Sequence, residues 1–456
     1  VGTSVTTLKY DSGTILLSGA VPEKMPGMFE WDERVAAFRA PAIARRGALN
    51  ALAKNGAMVE DQSSASAAVS LKLRCTFKPH PYQDEALQAW KDADRCGTVI
   101  LPTGSGKTLV ALSAMAHVKT STLVVAPTID LMSQWYSLIA DSFGMEVGIL
   151  GGGYHDIRDL TVTTYDSAYI YAGEYGNRFD LVVFDEVHHL PSPKYQQIPL
   201  MSTATYRMGL TATYERQDGA EATLEYLVGP VVYRVDVDEL TGSYLADYDL
   251  VRIKADLTDS EAEAYRQNAD IYFGFIRKSG IQPFGAGWVE LVKLSAYDAD
   301  ARKALLAKQE MKRIVIGSER KLEILDSIMK QHSHDRTIIF TEQNDLVYRI
   351  SHDFLIPAIT HHTKSRERKW ILDGFKDGQF RAVVTSKVLN EGIDVPSAKI
   401  AVILSGSASP REYSQRLGRV LRRGGDRSRA ILYELVTPST TEVNVSSRRR
   451  RKDADP

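Results

Sequence analysis

Val99-Ile100-Leu101-Pro102-Thr103-Gly104-Ser105-Gly106-Lys107-Thr108 is the stretch that decides the fold of this chain. An apolar run enters a turn holding two glycines, and LVALSAMAHV (109–118) leaves it with the composition of a helix. Gly104 and Gly106 permit backbone conformations that a side chain forbids. The loop amides and the helix start can then point at phosphate oxygens. The expected ATP contacts are Thr103, Gly104, Ser105, Gly106, Lys107 and Thr108. Lys107 is expected at the β and γ phosphates and the Thr108 hydroxyl on Mg²⁺. The general pattern asks for glycine at position 101, where this chain has Leu101.

Working outward, short apolar runs alternate with helical segments at 98–101, 122–127, 160–165, 181–186 and 208–213. Such runs are expected to be buried parallel strands in βα units. A second series lies at 337–342, 381–386, 399–406 and 430–436, so two tandem α/β domains are expected. Between them 256–316 is charged and helical in period, and is expected to be a helical insertion. At the N-terminus TTLKY and TILLSG read as strands joined at Asp11-Ser12-Gly13. The alanine-rich stretch 34–58 is expected to be helical, and SSASAAVS (63–70) to be a linker. The expected domains are 1–70, 71–235 and 236–456.

The run Leu181-Val182-Val183-Phe184-Asp185-Glu186 ends in two acids, which a parallel sheet carries to its C-terminal edge. Asp185 is expected to hold Mg²⁺, and Glu186 to orient and deprotonate the attacking water. His188 is expected to couple hydrolysis to movement; His188 and His189 lack companions at zinc-ligand spacing. On a helix, QRLGRVLR (415–422) puts Gln415, Arg419 and Arg422 on one stripe. If the second domain faces the first across a cleft, Arg419 and Arg422 reach the γ-phosphate.

The net charge of −1 announces no nucleic-acid partner, so any basic surface must be local. RRRRK (448–452) and the basic residues of 364–369 read first as solvated faces. No stretch has the length and apolarity of a membrane helix, and the start does not read as a secretory signal. Two cysteines without a CxxC pair fit a reducing intracellular setting.

Together TGSGKT (103–108) and DEVHH (185–189) resemble the superfamily 2 helicases, and more closely the XPB DNA-repair helicases in their short archaeal form. His80-Pro81-Tyr82-Gln83 is similar to that family's adenine-reading motif, which adds Gln83 and Gln415 to the expected ATP contacts. Ala126-Pro127-Thr128 with Gln134-Trp135, and then Thr163-Thr164-Tyr165, resemble its strand-contacting motifs. Leu210-Thr211-Ala212-Thr213 resembles the motif linking hydrolysis to domain movement, which places coupling on Thr211 and Thr213. Phe340-Thr341, Thr385-Ser386 through Glu391-Gly392-Ile393-Asp394, and 415–422 resemble the motifs of the second domain. Arg216-Gln217-Asp218 resembles an Arg-Glu-Asp element in which the middle acid is replaced by Gln217.

The resemblance implies two RecA-like parallel-sheet domains, a small α+β N-terminal domain in the place of a damage-recognition domain, and a helical thumb at 256–316. It implies DNA contacts at Pro127, Thr128, Thr163, Thr385, Ser386, Arg216 and Asp218. It also implies a DNA-dependent ATPase with ATP and Mg²⁺, acting 3'-5' on a duplex, fork or bubble in excision repair or promoter opening, with an endonuclease partner in archaea. The compartment would be the cytoplasm or nucleoid of an archaeal cell, or a eukaryotic nucleus. Two readings share this chemistry: a duplex translocase that never separates strands, and a DNA-damage recruitment scaffold with an ATP-gated clamp. A simple P-loop kinase or GTPase has no second domain carrying an arginine motif, which argues against it.

Overall fold

The computed structural model describes residues 5–19, 27–74, 79–212, 214, 219, 221–236, 239, 248–282, 286–386, 398–405, 430–440 and 442. The chain divides into two compact units, Val1–Leu240 and Thr241–Pro456.

The first unit opens with a small sheet of β1 (Thr6–Asp11), β2 (Thr14–Gly19), β3 (Glu30–Asp32), β4 (Ala37–Pro41) and β5 (Val59–Gln62), ordered β3-β4-β2-β1-β5. Ser12 and Gly13, both at positive φ, turn β1 into β2. Helix α1 (Arg45–Lys54) covers one face, and Leu8, Ile15, Leu17, Ala48 and Leu52 are fully buried between them. Each large side chain so buried contributes about 1.5–3 kcal/mol.

Two expectations for this region need correction. Of the stretch 34–58 expected to be helical, only Arg45–Lys54 forms a long helix, and Ala37–Pro41 is a strand. Alanine's helical advantage is about 0.7 kcal/mol per residue at most. Pairing of β4 with both β2 and β3 outweighs it, because the strand's backbone groups are satisfied and Ala37 and Ala40 are buried. The supposed linker at 63–70 is strapped to the body of the unit. Ala65 N–H donates to the Asn177 carbonyl (2.8 Å), Ser121 N–H to Ala67 (2.9 Å) and Val69 N–H to Lys119 (2.9 Å). Ser63 is wholly buried.

The main sheet of this unit comprises β6 (Cys96–Ile100), β7 (Thr122–Ala126), β8 (Gly148–Gly151), β9 (Tyr154–Asp156), β10 (Leu160–Thr164), β11 (Leu181–Asp185), β12 (Tyr206–Thr211) and β13 (Val231–Arg234). Its order is β13-β6-β12-β11-β7-β10-β8-β9, parallel except where β8 meets β9. Helices α2 (Pro81–Asp92), α3 (Lys107–Val118), α4 (Ile129–Phe143) and α5 (Tyr165–Ile170) are the ones that shape the site. Every residue of β11 is buried, which is why this strand reads as an unbroken apolar run. The β8–β9 hairpin and β13 are edge pieces that hydropathy did not announce.

In the second unit β14 (Tyr248–Lys254), β15 (Thr337–Phe340), β16 (Ala358–Ile359), β17 (Ala382–Thr385), β18 (Ile400–Ile403) and β19 (Ala430–Val436) form a sheet ordered β14-β19-β18-β15-β17-β16. All its pairings among the described residues are parallel. Between β14 and β15 the chain leaves the sheet for helices Asp259–Ser279, Ala286–Leu294 and Ala299–Ile316, so the 256–316 segment is helical. Thr258 and Glu261 close a capping box at the first helix. Tyr272, Ile276, Leu291, Ala304 and Met311 give this insertion a core of its own. Among the described residues no helix is long and apolar enough to cross a membrane.

Candidate nucleotide site and its link to the strand-contacting motifs

The phosphate loop connects β6 to α3. Gly104 (φ 85°) and Gly106 (φ 81°) both adopt left-handed backbone, as the sequence required. Gly106 also permits a close approach: a Cβ there would lie 2.4 Å from Gln83 Nε2. Gln83 is buried at the start of α2. Its Nε2 donates to the Ser105 carbonyl (2.7 Å) and its Oε1 accepts from the His80 amide (2.9 Å). The Tyr82 hydroxyl donates to the same Ser105 carbonyl (2.7 Å), and Ser105 Oγ to Pro102 (2.6 Å). Lys107 Nζ folds back onto the Leu101 carbonyl (3.1 Å). The loop is thus held from outside by α2, so the expected purine reader Gln83 is also a brace of the phosphate loop.

At the end of β11, Asp185 and Glu186 are both buried. Burial first, and the neighbouring Glu186 charge second, push the Asp185 carboxyl up to about 6, against the opposing pull of Trp135 and Lys107. Asp185 Oδ1 accepts from the Glu186 amide (3.0 Å) and Oδ2 from Trp135 Nε1 (2.9 Å). The Tyr165 hydroxyl donates to the Asp185 backbone carbonyl (3.0 Å). Glu186 sits at φ 47°, an unusual conformation for a glutamate. That twist turns its carboxylate toward the end of β12, where Oε2 lies 3.4 Å from Thr211 Oγ1 and 3.3 Å from His188 Nδ1. His188 Nδ1 is in turn 3.1 Å from Thr211 Oγ1. The expected base, His188 and Thr211 therefore form one buried triangle.

Two observations fit a phosphate chain with a hard divalent cation. The Thr103 hydroxyl is buried in the loop without a hydrogen-bond partner. The buried Asp185 and Glu186 carboxylates also repel one another close to Lys107, which suits an oxygen-liganded cation.

The strand-contacting residues divide. Thr128 caps α4, its Oγ1 accepting from the Leu131 amide (3.2 Å), and with Pro127 it is half-buried at the sheet's C-terminal edge. Thr163 and Thr385 need correction as side-chain contacts. Both are wholly buried. Thr163 Oγ1 donates to Leu150 (2.8 Å) and Thr385 Oγ1 to Ser386 (3.0 Å). Both strands are buried on their two faces and each hydroxyl is engaged by a backbone carbonyl, so neither side chain is presented to an external phosphate. Ser386 is buried too, and its amide donates to Ile359 (3.2 Å). Thr213, Arg216, Gln217, Asp218, Glu391, Gly392, Asp394, Gln415, Arg419 and Arg422 lie outside the described residues.

Sequence reasoning placed Trp135 in a strand-contacting motif, whereas its side chain is buried on Asp185. The contact joins residues 50 apart in the chain, and no local spacing reports it. Its only trace is an aromatic two turns into a helix that starts at a phosphate-contact motif.

Comparisons with known proteins identify relatives of this chain. The family described as "Type III restriction enzyme, res subunit" matches residues 76–216. "Helicase conserved C-terminal domain" matches 320–424, and "Xeroderma pigmentosum group B helicase damage recognition domain" matches 8–62. The chain is 39% identical to a protein of Sulfurisphaera tokodaii named "DNA 3'-5' translocase XPB2", over 97% of this chain and 99% of the relative. It is 29% identical to a "DNA 3'-5' helicase XPB" of Kineococcus radiotolerans, over 81% of this chain and 62% of that protein. The helicase domain of Pyrococcus furiosus Hef superposes with a TM-score of 0.53 at 19% identity, covering 82% of this chain and 98% of that one, and so shares the fold. A small damage-recognition domain followed by two RecA-like helicase domains, at this identity over nearly the full length, means that the chain belongs to the XPB family of superfamily 2 helicases and translocases.

Proposed function

We propose that this chain is an ATP-driven DNA translocase of XPB type, moving 3'-5' and opening or remodelling duplex DNA in repair. The observation that carries the reading is the joint geometry of the phosphate loop and the Asp185–Glu186 pair, in a chain 39% identical over 97% of its length to a named DNA translocase. Lys107, released from the Leu101 carbonyl, holds the terminal phosphates, and the orphaned Thr103 hydroxyl gains a phosphate partner. Mg²⁺ would be held by Thr108 and Asp185, and when bound supplies charge neutralisation of the transferring phosphoryl group. Glu186 takes the proton of the attacking water. The product state is then felt at Thr211 through the buried triangle with His188. Pro127 and Thr128 grip the DNA backbone, which gives hold without sequence preference. Arg419 and Arg422 are the candidates for neutralising charge on the transferring phosphoryl group.

A second reading, translocation without strand separation, is favoured by the word "translocase" in the name of the S. tokodaii relative. An ATPase panel with no nucleic acid, single strand, duplex, fork and RNA tests the first claim. Stimulation by DNA forms is expected, and equal rates in every lane would refute it. Strand displacement measured beside third-strand displacement separates the two readings.

A further inference from the structure

Asp185 is held by two aromatic donors, and each comes from a segment that resembles a strand-contacting motif of the family. Trp135 lies in α4, whose cap is Thr128, and donates Nε1–H to the carboxylate Oδ2 at 2.9 Å. Tyr165 is the last residue of Thr163-Thr164-Tyr165 and the first of α5, and donates its hydroxyl to the Asp185 carbonyl at 3.0 Å. Both rings are about 98% buried. Tyr165 is packed against Phe184, His189 and Tyr195.

We propose that Trp135 and Tyr165 are positioning residues that carry DNA engagement to the ATP site, by setting the carboxylate and backbone of Asp185. The inference rests on the ATP-driven reading above. Neither side chain reaches the external face of its motif, so neither is a DNA contact. A hydrogen bond to one carboxylate oxygen fixes which lone pairs remain for a cation. A helix is stiff along its axis, so a shift of the Pro127–Thr128 turn moves Trp135 less than two helical turns away. The second donor holds the backbone of the same residue from the other motif. DNA contact at the Pro127–Thr128 turn thereby changes the geometry of Asp185 without touching it, while Tyr165 holds the same residue's backbone against that shift. This is a physical route for nucleic-acid stimulation of hydrolysis that lies wholly within the first unit.

The test pairs Trp135→Phe and Tyr165→Phe, which keep the ring and remove the donor. Three quantities are read: DNA affinity by anisotropy, Mg²⁺ concentration at half-maximal nucleotide binding, and the ratio of DNA-stimulated to basal ATPase. DNA affinity should stay within about twofold. Half-saturating Mg²⁺ should rise about tenfold or more in Trp135→Phe, in line with the loss of an outer partner of a metal ligand. The stimulation ratio should fall in both variants and furthest in the pair. A readout free of turnover uses ¹⁹F NMR of the wild-type chain carrying 5-fluorotryptophan, with the Trp135 resonance assigned by its absence from Trp135→Phe. That resonance should move when duplex DNA is added without nucleotide. A Trp135 resonance blind to DNA, or variants with wild-type Mg²⁺ dependence and stimulation, would overturn the proposal. A wild-type chain whose ATPase ignores DNA would instead overturn the functional reading on which it rests.

Discussion

Replacing Tyr10 by Phe removes one hydroxyl from the seam between the N-terminal sheet and the parallel sheet that follows it. That hydroxyl lies 3.2 Å from the Ala172 carbonyl and 3.1 Å from those of Gly173 and Met201. A phenol has one proton, so the three short distances describe one donor shared among acceptors and not three hydrogen bonds. The expected loss is one net hydrogen bond, about 1 kcal/mol. A count of contacts would have predicted about three times as much. One kcal/mol is roughly a fivefold rise in the open population. Hydrogen exchange of the β1 and β2 amides reads that population directly, and a rise of about fivefold is expected there, with little change in β11. An unchanged rate would mean the seam does not hold the domain, and a rise of a hundredfold would mean the hydroxyl counts more than once. The same residue supplies a control in pH. Burial, the leading cause, raises the Tyr10 hydroxyl from 10.0 to about 12 in the folded chain. A raised value means its contribution is complete below pH 10 and is lost as pH climbs through about 12. The difference between wild type and Tyr10→Phe should therefore be flat from pH 6 to 9 and shrink only above 10.

Further outcomes follow from the site. Glu186→Gln should bind nucleotide with near-normal affinity while the hydrolysis rate falls about 10²- to 10⁴-fold, read by single-turnover ATPase. Thr211→Val removes a buried corner of the Glu186–His188 triangle and should lower DNA movement per ATP more than it lowers ATP turnover, read by comparing the two rates at saturating ATP. Thr163→Val should leave DNA affinity within about twofold and cost about 1 kcal/mol of stability, because its hydroxyl is spent on Leu150. Titrating the metal away with a chelator should abolish hydrolysis, and Mn²⁺ should restore it better than Ca²⁺ does.

The legibility of this chain in its sequence follows burial. Strands β7, β11 and β15 are buried along all or nearly all of their length, so each reads as an apolar run, whereas β10 is equally buried but alternates threonine with Leu160 and Val162. The phosphate loop is legible because its conformation demands glycine at two fixed places, and the structure puts both at positive φ. The β8–β9 hairpin escaped because its strands are short, lie at the sheet edge and are joined by glycines 151–153. Ala37–Pro41 escaped because strand pairing with distant neighbours overrode a local preference worth tenths of a kcal/mol. Thr163 was assigned from its motif position, and only the direction of its side chain shows that the hydroxyl faces inward. The Trp135 and Tyr165 contacts on Asp185 are products of the fold alone, since nothing in the spacing of three separate motifs says which side chains meet behind them.

ATP-driven movement along DNA is read by third-strand displacement from a duplex, with wild type and Lys107→Ala run in parallel with ATP and with a non-hydrolysable analogue. Wild type should displace the third strand with ATP only, and Lys107→Ala should displace none although it still binds DNA. Displacement that persists in Lys107→Ala or with the analogue, or a wild type that hydrolyses ATP on DNA yet displaces nothing, would contradict ATP-driven movement.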